Sequence, residues 1–144
     1  MKTLDYSEII VKTLSGLEDV LAEELKNIGA DEIEVLSRAV KFRGSKRLAY
    51  LSNLKLRTAL RVLVPLAKFD VSNPEELYKR TKTIKWEDFI TPDSTIAVDS
   101  SINSSAFNHA NFVALKVKDA IVDKMRDIFG RRPSVDVKNP DLMI

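Results

Sequence analysis

Between Asp31 and Arg43 the side chains alternate twice: Ile33 and Val35 oppose Glu32 and Glu34, then Val40 and Phe42 oppose Lys41 and Arg43. Ser37-Arg38 separates the two runs, so the pattern predicts a hairpin of short strands with one apolar face. A lone hairpin is marginal in water and needs cover on that face. The flanking sequence supplies it. Leu17, Val20, Leu21, Leu25 and Ile28 recur at helical spacing before the hairpin, and Leu48, Leu51 and Leu54 after it. Ser7 to Thr13 reads as a strand, and the β-branched run from Ala59 to Phe69, interrupted at Pro65, supplies another. The order β-α-β-β-α-β is the split βαβ pattern of ferredoxin-like folds, with helices covering one face of a four-stranded antiparallel sheet. Such a fold hosts many activities and identifies none.

Local signals set the helix ends. Ser15-Gly16-Leu17-Glu18 fits a capping box, Gly29 is a stop, and Gly44-Ser45 opens the second helix. A second region starts near Asp70. Asn73-Pro74-Glu75-Glu76 is a helix start, Trp86 to Phe89 a short helical turn, and Thr91-Pro92-Asp93 a tight turn before a strand from Thr95 to Ser101. A polar loop from Ser100 to Asn111 precedes a long helix from about Asn108 to Phe129. On that helix Val113, Ala114, Val117, Ala120, Ile121, Val122, Met125, Ile128 and Phe129 fill well over half the circumference. Lys118 falls inside this apolar arc, where a lysine either snorkels outward or meets an anion. Gly130 ends the helix, Arg131-Arg132-Pro133 forms a doubly basic turn, and Val135 to Val137 is extended. The predicted class is α+β, in two subdomains, 1–65 and 66–144. The apolar, strand-like end at Leu142 to Ile144 predicts a second subdomain truncated at its C-terminus.

Several chemistries are excluded. The chain has no cysteine, hence no disulfide, thiolate nucleophile or cysteine metal site. The single histidine, His109, sits in a polar stretch and suits a solvated or capping role. Four glycines form neither phosphate-cradling loop motif. Asp119 and Asp123, four apart on the polar helix face, are explained by pairing with Lys116 and Arg126. Asn139-Pro140-Asp141 reads as a turn. We therefore expect no catalytic residue and no metal ligand. No apolar run is long enough to span a bilayer, and the N-terminus lacks a signal-peptide layout, so a cytoplasmic location is expected.

Net charge is only +2, but it is unevenly spread. Arg38, Lys41, Arg43, Lys46, Arg47, Lys55, Arg57 and Arg61 form a block without an acid, after an acidic first quarter. The block either makes a positive patch or is neutralised by the acidic segment folding beside it. For Lys41 and Arg43 the competing reading is cross-strand pairing with the hairpin's own glutamates.

Certain stretches are more specific: Gly16-Leu17-Glu18 with Leu21, Leu25 and Gly29; Val40 to Gly44 (VKFRG); Asn53-Leu54 with Arg57 and Arg61; Leu77-Tyr78; Trp86; Ala114 to Asp123 (ALKVKDAIVD); and Arg131 to Asp136 (RRPSVD) followed by Pro140-Asp141. Together they resemble the N-terminal region of the bacterial THUMP-domain methyltransferases, which methylate guanine N2 in large-subunit ribosomal RNA; many carry the label N6-adenine-specific DNA methylase. The resemblance implies a ferredoxin-like domain, an RNA-binding THUMP domain, and a following S-adenosylmethionine-dependent domain that this chain lacks. It implies a fragment that is not itself an enzyme but captures structured RNA, ribosomal RNA first, for that domain in cis. Arg131 and Arg132 head the RNA-binding set because guanidinium forks match phosphate oxygens. Lys116 and Lys118 follow by their place in the motif, then Lys41, Arg43, Lys46, Arg57 and Arg61 from the basic block. The alternative is a protein-interaction domain docking the catalytic domain or a second copy, with an apolar patch near Ile144.

Overall fold

A computed structural model describes residues 7–144, so residues 1–6 of the expected first subdomain lie outside the described residues. The chain divides after Leu66 into two units, each with its own core.

In the first unit, β1 (Ser7–Lys12), β2 (Asp31–Leu36), β3 (Ala39–Gly44) and β4 (Arg61–Leu63) form an antiparallel sheet in the order β2-β3-β1-β4. Register pairs Ile9 with Phe42 and Val11 with Val40, which puts all four on one face. There they meet Leu21 and Leu25 of α1 (Glu18–Asn27) and Leu48 of α2 (Lys46–Lys55). Ile9, Val11, Leu21, Leu25, Val40 and Phe42 are fully buried. The ferredoxin-like order read from the alternation is thus present.

Four details differ from the sequence reading. Ser15 does not cap α1: Leu17 holds that position, and a turn closed by Leu17 N–H donating to the Leu14 carbonyl leaves Ser15 exposed. The Glu18 carboxylate instead accepts from the backbone N–H groups of Gly16 (2.7 Å) and Arg38 (3.0 Å), tying the helix start to the hairpin turn. Leu54 is 80% exposed, because the residue one turn after Leu48 is Ser52, and it is Ser52 that faces inward, its hydroxyl donating to the Leu48 carbonyl. The run from Ala59 to Phe69 pairs only over Arg61–Leu63. Strand β2 carries an irregularity between Asp31 and Glu34, with Glu32 at φ +49°, and Val35, although opposite buried Val40, is half exposed at the sheet edge.

Gly44 closes β3 where sheet and α2 approach: a Cβ there would lie 2.7 Å from Leu48 Cδ2 and 3.1 Å from Phe42 Cε2. Both neighbours belong to the core, so overpacking is expected to cost about 1–3 kcal/mol. Gly44→Ala should lower the urea midpoint without changing the slope; an unchanged midpoint would show that Leu48 yields freely.

The second unit comprises α3 (Pro74–Thr83), a 3-10 turn (Trp86–Asp88), β5 (Thr95–Ala97), α4 (Ala110–Phe129), β6 (Ser134–Val135) and β7 (Leu142–Met143). β5 is central in a parallel sheet ordered β6-β5-β7. β5 ends sooner than the expected Ser101, and the extended segment after Pro133 pairs at Ser134–Val135 rather than through Val137. Asn73 caps α3 through its side chain, accepting from Glu76 N–H, and Glu76 reaches back to Ser72 N–H. The core gathers Trp86, Ile90, Ile96, Ile121, Val122 and Met125. Across α3 and α4, the Tyr78 hydroxyl donates to Asp123 (2.7 Å) and Lys82 pairs with Asp127 (2.7 Å). The arc read along α4 is only partly buried: Ile128 and Phe129 are 44% and 46% exposed. His109 occupies the N-cap position of α4 without a side-chain cap bond. Among the described residues no helix is long and apolar enough to cross a membrane.

Candidate nucleic-acid interface

Within the second unit, α4, the turn after it and β6 enclose a cleft of about 460 Å³. Lys118, Val122 and Arg126 are spaced i, i+4, i+8, so they form one row along α4, about 12 Å long at 1.5 Å per residue. Gly130 (φ +68°) then reverses the chain in a left-handed cap that few other residues hold without strain. The reversal brings Arg132, Pro133 and Ser134 to the other wall. Buried Pro133 anchors that wall while Arg132 stays exposed.

The cleft holds three cations against two carboxylates, and its acids are already engaged. Asp119 pairs with Lys118 (2.6 Å); Asp123 accepts from Tyr78 and lies 3.5 Å from Arg126. The hydrogen bond to Asp123 pushes the Tyr78 phenol above its ordinary value, which keeps it a donor. Arg132 pairs with no carboxylate among the described residues. The arrangement can accept one anionic group between Arg126 and Arg132, with Lys118 as a further point charge. Lys118 resolves the choice posed by its place in the apolar arc: it lines the cleft with Val122, and its ammonium pairs with Asp119.

The other expected residues lie elsewhere. Arg131 does not line the cleft; its guanidinium reaches Asp93 in the turn before β5, with both side chains mostly exposed. Lys116 pairs with Glu75 of α3 (3.0 Å) and lies over the Phe112 ring, so it does not take Asp119 as its partner. Lys41 sits between Glu34 (2.6 Å) and Glu8 (3.9 Å), and the hydrogen bond it donates to Glu34 raises its pKa. Arg43 lies 3.9 Å from Glu32. For these two the cross-strand pairing is present. Lys46, at the start of α2, lies over the Tyr50 ring, while Arg57 is exposed and its backbone N–H donates to Glu24. Arg61 stands opposite Lys12 on the paired strand. Arg126, which the sequence places only beside an aspartate, also lines the cleft, and its i, i+8 spacing from Lys118 is the sequence signal for it. Among the described residues no cluster of His, Asp or Glu could hold a metal ion.

Residues 71–144 match the THUMP domain, and residues 8–63 the RlmL ferredoxin-like domain. A ribosomal RNA large subunit methyltransferase K/L of Pseudomonas aeruginosa is 43% identical over 97% of this chain and 19% of its own length. Its counterpart in Syntrophotalea carbinolica is 41% identical over 90% of this chain and 18% of its own length. The crystal structure of a predicted N6-adenine-specific DNA methylase from Listeria monocytogenes superposes with a TM-score of 0.80 at 27% identity, over 90% of this chain and 34% of that one. The chain therefore spans less than a fifth of the two curated relatives.

Proposed function

This chain belongs to the THUMP-domain family, with a ferredoxin-like domain ahead of the THUMP domain, and on that premise we propose that it holds structured RNA for a methyltransferase domain outside these residues. Its RNA is large-subunit ribosomal RNA, the substrate class named for its relatives, and it acts in the cytoplasm. The observation that carries the reading is the cleft lined by Lys118, Arg126 and Arg132, where three cations face two carboxylates. Phosphate contacts of this kind fix register and orientation and carry little sequence information. Selection then rests on RNA shape and 2′-hydroxyls.

We assign S-adenosylmethionine to that outside domain.

The test is a titration of a folded large-subunit ribosomal RNA fragment, and of transfer RNA, at two salt concentrations. Lys118→Ala/Arg132→Ala is expected to weaken binding roughly tenfold at low salt and to reduce the salt slope by about 1.4–1.8, two phosphate contacts' worth. Arg131→Ala, which leaves the cleft intact, should lose less. Wild-type protein with no affinity for either RNA would end the reading. One observation favours a protein-docking role instead: Val135, Val137 and Met143 on or beside the outer strands are 53%, 75% and 45% exposed. Affinity for a partner that persists at high salt would support it.

A further inference from the structure

The first unit carries a second surface that the cleft does not explain. Helix α2 holds Lys46, Arg47 and Lys55 and no acidic residue. Arg47, Tyr50 and Leu54 follow at i, i+3, i+7 and so share a face, and Tyr50 and Leu54 are 61% and 80% exposed. Lys46 Nζ lies 5.8 Å from the centre of the Tyr50 ring, so the cation and the aromatic face are already side by side. Neither Arg47 nor the Tyr50 hydroxyl has a partner among the described residues. The unit's other described aromatic, Phe42, is fully buried, so Tyr50 is the one ring that residues 7–66 offer to a ligand.

We propose that this face of α2 is a second RNA contact, where Tyr50 stacks on an unpaired base while Lys46 and Arg47 hold the flanking phosphates. The occupant follows from complementarity. A partner must bring negative charge to a face without acids and a flat π surface to an exposed ring, and single-stranded RNA presents both in every nucleotide. Duplex RNA hides its base faces. The outer face of the sheet is a poorer candidate, since Lys41 and Arg43 there are held by glutamates. The proposal rests on the RNA-binding reading above but not on the cleft.

The experiment uses the full chain and two probes: a short fluorescein-labelled oligouridylate, and a blunt RNA duplex of equal length. Tyr50→Ala, at an exposed position, should bind oligouridylate about tenfold more weakly, the scale of one lost base–aromatic stack, with duplex affinity unchanged. Tyr50→Phe keeps the ring and should bind like wild type. Ultraviolet cross-linking should place a uridine adduct on the peptide containing Tyr50. If wild type binds oligouridylate and Tyr50→Ala binds it equally well, this contact is overturned and the cleft reading stands. If wild type binds no RNA, both fall together. If Tyr50→Ala abolishes self-association in sedimentation and leaves oligouridylate binding intact, the face docks protein and the proposal is overturned.

Discussion

Trp86→Ala is expected to unfold residues 67–144 under conditions that leave the wild type folded. Trp86 is 2% exposed, packs with Ile90, Ile96, Ile121, Val122 and Met125, and meets Phe89 edge-to-face at 6.4 Å. Its indole N–H donates to the Thr81 carbonyl at 2.9 Å, so truncation removes a buried ring and one of the two hydrogen bonds that carbonyl accepts, the other coming from Ile84 N–H. Phe or Trp to Ala in a core costs about 3–5 kcal/mol, a large share of the roughly 5–15 kcal/mol that hold a domain together. Hydrogen exchange should read the loss as fast amides throughout α4, while Trp86→Phe, which keeps a smaller ring and drops the donor, is milder. Slow α4 amides in the alanine variant would contradict this account of the core. The same variant separates charge from position. Lys118, Arg126 and Arg132 all remain, yet RNA affinity should fall because the helix that spaces them is no longer anchored.

In the first unit, Glu24→Ala is expected to be the costliest polar change. The Glu24 carboxylate accepts from Thr58 Oγ1 (2.6 Å), Thr58 N–H (3.2 Å) and Arg57 N–H (3.1 Å), clamping the segment after α2 onto α1. That segment leads directly into β4, and the Thr13 hydroxyl, nearly buried in β1's extension, donates to the Thr58 carbonyl at 2.6 Å. Hydrogen bonds to a charged acceptor contribute about 1.5–3 kcal/mol each when protected; the partial exposure here reduces the sum to an expected loss of roughly 2 kcal/mol. The Thr58 hydroxyl, first, and then the two amides hold the Glu24 pKa below its ordinary value of 4.5. A carboxylate with a lowered folded-state pKa stabilises fully above the unfolded value and loses that contribution as pH falls through the folded one. The wild type should therefore lose stability as pH drops below about 4.5, and Glu24→Gln should flatten part of that dependence. Urea midpoints measured across the acid range decide it. A variant with the wild type's acid dependence would show that other carboxylates, Glu18 among them, dominate.

The legible parts of the chain are those written in local periodicity. Alternation across Asp31 to Phe42 specified the hairpin, helical spacing placed α1 and α4, Asn73 and Gly130 marked helix ends, and the motif from Ala114 to Asp136 pointed to the family. The misses have local physical causes. Ser15 could not cap once a turn closed at Leu17, and Leu54 lost its inward place to Ser52 because α2 turns by 100° per residue.

By itself, then, the sequence determined which segments are helix or strand, which faces are apolar, and that cations gather around Arg38 to Arg61 and after Gly130. Only the tertiary structure decided which of those cations can meet an anion. Arg131 is drawn to Asp93, 38 residues away, and Lys116 to Glu75, 41 residues away, while Arg132 and Arg126 converge on one cleft and Tyr50 is left uncovered. The reason is physical: side-chain periodicity is set within a few residues by backbone geometry, whereas Coulomb energy depends on through-space distance and burial, which exist only once distant elements have packed.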